Sequence, residues 1–381
     1  MIHTYRNKKV LVTGHTGFKG SWLCEWLLAL GAEVYGFSNG IPTKPSLFSQ
    51  LRLSKRIAMD IRGDIRDRAA VRAAVTSICP DFVFHLAAQP LVRLSYEQPI
   101  ETFDTNVMGT IHVLDALRSL KSKCSAVMIT TDKCYENKET TRPYRETDPM
   151  GGYDPYSCSK GCDELVISSY RRSFFNDPSA KVWIASARAG NVIGGGDWAK
   201  DRIVPDAMRA WLSPSHNPSI RQSPNPSIPQ SVNPSIPQSA NRSILTVRNS
   251  RSTRPWQHVL EPLSGYLTLG AALDARRDFV AVASGFNFGP DPSANRTVKE
   301  VVEELLRHAK GKWIDKSDPH AVHEAGLLNL DIRKARKVLG WTPTWNFEET
   351  IAKVAEWYLG VGRGAAAGEL TRKQIEEFGG W

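Results

Sequence analysis

No apolar run in this 381-residue chain is long enough to cross a bilayer, so a helical membrane protein is not expected. Its first residues, MIHTYRNKKVLVTG, lead straight towards a strand and hold no apolar segment with a small-residue cleavage site. Secretion is therefore not expected either. Cysteine is scarce: Cys24, Cys79, Cys124, Cys134, Cys158 and Cys162 include no C-x-x-C pair, and no Cys/His grouping has zinc spacing, so no metal is expected. Free thiols fit a reducing cytoplasm, the expected location. Nor is there a basic stripe. The formal net charge is +10, but the basic residues are scattered, which suits an anionic small molecule better than a nucleic acid.

Short apolar, β-branched runs occur at KKVLVT, AEVYGF, IAMDI, DFVFHL, SAVMIT and VWIASAR, with helical stretches such as SWLCEWLLALG between them. Alternating strands and helices predict an α/β fold, a Rossmann doubly wound parallel sheet, with a smaller carboxy-terminal lobe over the carboxyl edge of the sheet. The expected division is 1–188 for the dinucleotide-binding part, with a later contribution from about 258–290, and 189–257 with 291–360 for the substrate lobe. One segment breaks the pattern. From Asn217 an eight-residue unit, NPSIRQSP, NPSIPQSV, NPSIPQSA, repeats three times. One Ile per unit buries too little surface to offset ordering, so 214–243 is expected to be a flexible surface insertion. Residues 361–381 are expected to form a loosely attached tail with helical character.

In VLVTGHTGFKGSW, Gly14, Gly17 and Gly20 stand between a strand and a helix. Glycines there permit a tight turn and close approach of backbone to a pyrophosphate, and the helix amino terminus supplies free N–H groups and a favourable dipole. The second strand ends VYGFSNG, without the acidic residue that would hold a ribose 2′-hydroxyl and without an adjacent arginine that would favour a 2′-phosphate. That position leaves NAD and NADP both open.

Further along, YDPYSCSKG sets Tyr156 and Lys160 four residues apart, on one face of a helix. An ammonium near a phenol favours the phenolate and lowers its pKa from about 10, which would make Tyr156 a base towards a sugar hydroxyl. After the strand SAVMIT comes Thr130-Thr131-Asp132-Lys133, at the edge of the sheet where reactive groups collect in such folds.

Together GHTGFKGSWL, HLAAQPLVRLSY, TTDKCYEN, YSCSKGCDE, RAGNVIGGGDWAKDRIVPD and TRPWQHVLEPL resemble the extended short-chain dehydrogenase/reductase family, in its nucleoside-diphosphate-hexose 4,6-dehydratase branch. The likeness spans nearly the whole chain apart from the repeats and the tail. It implies NAD, held by Gly14, Thr16, Gly17, Phe18, Gly20, Asp64, Ile65, Leu86, Ala87, Ala88, Gln89, Asn106, Tyr156 and Lys160. It implies Thr131, Asp132, Lys133, Tyr156 and Lys160 as catalytic, and Arg93, Asn191, Arg202, Arg254 and His258 on the substrate. The Asp132–Lys133 pair, where other branches carry Asp-Glu, points to CDP-glucose as the nucleotide sugar. Dimers or dimers of dimers are implied through helices at 100–120 and 156–170, with Val107, Ile111, Leu114, Leu165 and Ile167 as candidate contacts. An epimerase or another hexose dehydratase on the same scaffold stays open, as does a binding protein without turnover.

Overall fold

The computed structural model describes residues 2–212, 244–317 and 327–379. The repeat segment expected at 214–243 lies outside the described residues, as its last residue before the next strand is Ser243. Seven parallel strands form the central sheet: β1 (Lys9–Thr13), β2 (Glu33–Ser38), β3 (Met59–Arg62), β4 (Phe82–His85), β5 (Cys124–Ile129), β6 (Val182–Ala189) and β7 (Gly285–Phe288). Their order across the sheet is β3-β2-β1-β4-β5-β6-β7, so the winding reverses between β1 and β4. In such sheets the crevice beyond that switch point receives the ligand. The six apolar runs of the sequence became strands with ends displaced by a residue or two.

Alternation along the strands divides the core. Val10 and Val12 of β1 face one side with Phe82 and Phe84 of β4; Leu11 and Val83 face the other. The second side is covered by α2 (Arg68–Ile78), α3 (Gly109–Leu117) and α4 (Pro155–Phe174), the first by α1 (Phe18–Ala29) and α5 (Leu260–Asp274). Helix α1 is apolar nearly all round, with Trp22, Leu23, Trp26 and Leu27 all buried, because the carboxy-terminal helices close over its outer side.

Those helices are α6 (Phe347–Gly362) and α7 (Ala367–Gly379). The tail differs from the loose attachment expected of it. Phe378 of α7 packs edge-on against Trp26, ring centroids 5.7 Å apart, and against Trp345 at 5.0 Å. Trp357 of α6 donates to Thr371 Oγ1 at 3.0 Å. A helix whose amphipathic face meets three tryptophans is a packed element, and charge on its outer face gave it the look of a surface tail.

A nucleotide crevice and a buried acid

The turn after β1 is built by its glycines. Gly14 has φ +72°, and a Cβ there would lie 2.8 Å from the Ala87 nitrogen in the neighbouring turn; a Cβ on Gly20 would lie 2.2 Å from the Gly14 oxygen. Thr16 is tied to the end of β2 by Ser38 Oγ at 2.8 Å and the Gly40 carbonyl at 2.6 Å. Ser38 and its neighbours thus shape the trough where an acid is lacking. Beyond β3, Asp64 accepts both a backbone and a forked side-chain bond from Arg66, which holds its carboxyl below the usual range, and Ile65 packs on Gly109. Beyond β4, Leu86, Ala87 and Ala88 are half-buried. The four turns after β3, β2, β1 and β4 lie side by side over roughly 14 Å, a trough suited to a dinucleotide. Phe18 opens α1 at its pyrophosphate end, and only the Gly14 oxygen, at 3.3 Å, approaches the place of a Cβ on Gly17. The residues present fit such a group.

Gln89 plays a different part from a direct ligand. Its side-chain amide donates to the Leu91 carbonyl and Thr102 Oγ1 and accepts from Leu91 N–H, while its backbone N–H bonds Asn106 Oδ1 at 2.8 Å. Asn106 is fully buried and donates to Ser159 Oγ at 2.8 Å. The pair braces the turn after β4 against α4.

Helix α4 starts at Asp154, whose carboxylate caps Ser157 N–H, with Pro155 in the first turn. This start presents Tyr156 to the crevice beside the Thr131 turn. The Thr131 hydroxyl faces Tyr156 and opposes the effect of burial on its phenol, and Thr131 Oγ1 donates to Asp132 Oδ1 at 3.0 Å. Asp132 is buried, and burial raises its pKa against the opposing pull of Lys133, Thr131, Arg254 and Lys19. A carboxyl so placed favours its neutral, proton-donating form. Gly190, just past β6, leaves it room, since a Cβ there would stand 2.7 Å from Asp132 Oδ2. Asn191 follows at the same edge, half-buried. The Lys133 ammonium lies 6.0 Å from the Tyr156 ring centroid.

Positive charge gathers opposite. Arg202 pairs with Asp197 at 2.8 Å and acts on Tyr156; Arg254, on the short strand Thr253–Pro255, acts on Asp132; Arg93 stands near Asp201. Lys19, in the first turn of α1, was not expected. Burial brings it down to about 8, with Arg202 and Lys160 pushing the same way and Asp132 opposing. Its signal was in the sequence, since GFKGS puts a cation where a helix amino terminus already repels one.

Two expectations are corrected. The pKa of Tyr156 is not lowered here as expected from Lys160: burial pushes the phenol up, and the Lys160 ammonium is on Asp163 Oδ2 at 2.8 Å. His258 is no substrate ligand. It is fully buried between Trp22 and Trp345, with ring centroids 5.7 and 4.8 Å away, and burial lowers it to about 3. An imidazole boxed by two indoles is part of the core.

A seven-stranded doubly wound sheet, a glycine turn at its switch point, and a Tyr-x-x-x-Lys helix beside it define an extended short-chain dehydrogenase/reductase. A family profile described as GDP-mannose 4,6 dehydratase matches residues 11–184. CDP-glucose 4,6-dehydratase of Salmonella typhimurium is 44% identical over 379 residues, 98% of this chain and 97% of that protein. The chain belongs to the CDP-glucose 4,6-dehydratase family. Among solved structures, a dTDP-glucose 4,6-dehydratase from Streptomyces venezuelae, with NAD bound, superposes with a TM-score of 0.71 at 20% identity, covering 92% of this chain and 97% of that one. The UDP-glucose 4-epimerase of Thermus thermophilus, in complex with NAD, gives 0.69 at 24% identity, over 94% and 99%.

Proposed function

We propose that the chain removes water from a nucleoside-diphosphate hexose, CDP-glucose, giving the 4-keto-6-deoxy sugar nucleotide. The observation that carries this reading is the buried, acid-favouring Asp132, hydrogen-bonded by Thr131 beside Tyr156. An epimerase or a simple reductase has no need of an acid there; loss of a C6 hydroxyl does. Full-length similarity to a CDP-glucose 4,6-dehydratase supports the nucleotide, and NAD-bound neighbours support the cofactor.

NAD, when bound, would supply the hydride acceptor for C4 and the hydride donor for C6. Tyr156 accepts the proton of the C4 hydroxyl, with Thr131 hydrogen-bonded to the same oxygen. The 4-ketone acidifies C5–H, and Lys133 is the base or proton relay that receives that proton. Asp132 gives its proton to the C6 hydroxyl, which leaves as water. A proton then returns to C5, so atoms and electrons balance: the sugar loses one water, and C4 is oxidised as C6 is reduced. Arg202 and Arg254 suit the substrate diphosphate through their planar forks, with Arg93 and Asn191 on the sugar side. Buried charge around Asp132 and exclusion of water strengthen these interactions.

Two copies are proposed to pair through α3 and α4. Leu165 is 61% exposed on α4, and Ile100 and Met108 are exposed just before and within the same bundle. Val107 and Ile111 are half-buried beside them. Leu114 and Ile167 are withdrawn from the contact set, because both are buried in the chain's own core. Six cysteines without a disulfide, Cys79 exposed among them, support a cytoplasmic setting. No described helix is long and apolar enough to cross a membrane.

A panel of CDP-, dTDP-, GDP- and UDP-hexoses tests the reading. A 4-keto product from CDP-glucose is expected. No product from any of them would move a binding role ahead.

A further inference from the structure

Beneath the crevice runs a line of buried polar side chains that the reaction does not use directly. Ala87 N–H donates to Thr13 Oγ1 at 3.2 Å. Thr13 Oγ1 meets His85 Nδ1 at 2.7 Å, and His85 Nε2 meets Thr110 Oγ1 at 3.1 Å. Thr110 faces the Asp163 carboxyl in longer geometry than the Lys160 contact, and Asp163 Oδ2 accepts from Lys160 at 2.8 Å. Thr13, His85, Thr110, Asp163 and Lys160 are each at most 4% exposed. The line joins β1, β4, α3 and α4, and runs from the cofactor turn at Ala87 to the lysine of the Tyr156 helix.

Its direction follows from donor counting. Asp163 Oδ1 is buried without a hydrogen-bond partner, so the Thr110 hydroxyl, which faces this carboxyl, has reason to turn its proton there. Thr110 can then only accept from Nε2–H. A neutral imidazole has one N–H, so Nδ1 must accept, and Thr13, already accepting from Ala87, donates to it. The opposite direction would leave the Thr13 proton and Asp163 Oδ1 both without partners. Burial, with the Lys160 charge adding to it, holds His85 neutral with a pKa lowered to about 3, which suits a fixed tautomer.

We propose that Asp163 and His85 are positioning residues for Lys160: the oriented line Ala87–Thr13–His85–Thr110 ends on the Asp163 carboxylate, and that carboxylate sets where the Lys160 ammonium stands. The groups facing Lys160 are Asp163 from its own helix, Lys19 from α1 and His85 from β4; Asp163 also faces Glu164. Lys19 repels the ammonium, so Asp163 supplies the counter-charge that keeps it in place. The effect on turnover rests on the dehydratase reading. The direction of the line does not.

The test reads both. In the folded protein, imidazole ¹⁵N spectra, with His85 picked out from the nine histidines by a His85→Gln control, should show the Nε2–H tautomer. In Asp163→Asn the amide oxygen keeps Lys160 and the NH₂ faces Thr110. Thr110 must then donate to Nε2, and the His85 proton moves to Nδ1. Turnover of CDP-glucose by this variant should fall ~10-fold or more in kcat, with KM for the sugar nucleotide little changed. Thr110→Val, which keeps the carboxylate and serves if Asp163→Asn fails to fold, should cost kcat about fivefold, the rate equivalent of one hydrogen bond. An Nδ1–H tautomer in the unaltered protein, an unmoved tautomer in Asp163→Asn, or unchanged kcat in either folded variant would overturn the proposal. If the unaltered protein failed on CDP-glucose while the tautomers behaved as expected, the dehydratase reading would fall and the line would stand.

Discussion

At Asp132 a single carboxyl is asked to be an acid at neutral pH, and its surroundings explain how. Three positive side chains and a hydroxyl pull its pKa down, yet burial outweighs them. Tyr156 is subject to the same burial, which raises its pKa as well. The two steps should therefore separate by substitution. Tyr156→Phe removes the C4 base and should abolish oxidation. Asp132→Asn keeps the shape without the transferable proton and should stall after oxidation. Losses of about 100- to 10,000-fold in kcat are expected for both. Stopped-flow absorbance of reduced cofactor after mixing with CDP-glucose checks this: a build-up in Asp132→Asn and none in Tyr156→Phe. Near-normal turnover by Asp132→Asn would remove it from the acid role. Tyr156, Asp132 and Thr131 were legible in the sequence because their spacing is local, within one turn or one helix face. Asp163, Thr110 and His85 were not, because their line crosses four elements. His85 in particular sits in DFVFHL, where it passes as the end of an apolar strand.

Among elements, β1, β2, β4, β5 and β6 were legible because a strand buried on both faces is a continuous apolar run, and the glycine turn because only a strand before it and a helix after it give it meaning. The tail was not legible. GELTRKQIEEF shows its charge in sequence, whereas the tryptophans that receive Phe378 come from other parts of the chain. His258 misled for the same reason, since its indole walls lie far off in sequence. Phe378→Ala tests whether α7 is part of the packed structure. Truncating a buried phenylalanine costs about 3–5 kcal/mol where the site cannot collapse, so chemical denaturation should show a loss of that order. A loss within about 0.5 kcal/mol, as for surface changes, would mean that α7 is only loosely attached.

For the whole molecule, the sheet brings the cofactor trough and the acid site to one edge, and helices α3 and α4 leave apolar side chains facing outward on another side. Leu165→Glu puts a charge at the centre of that exposed face without touching the crevice. Light scattering at micromolar concentration should give a dimer or larger for the unaltered chain and a monomer for the variant; a monomer in both would set the pairing aside. The central claim is that oxidation at C4 and reduction at C6 take place in one site with one hydride. CDP-glucose deuterated at C4 tests it most directly. The 4-keto-6-deoxy product should carry the deuterium at C6, without net accumulation of reduced cofactor. A product with its label lost to solvent, or reduced cofactor rising in proportion to product, would contradict it.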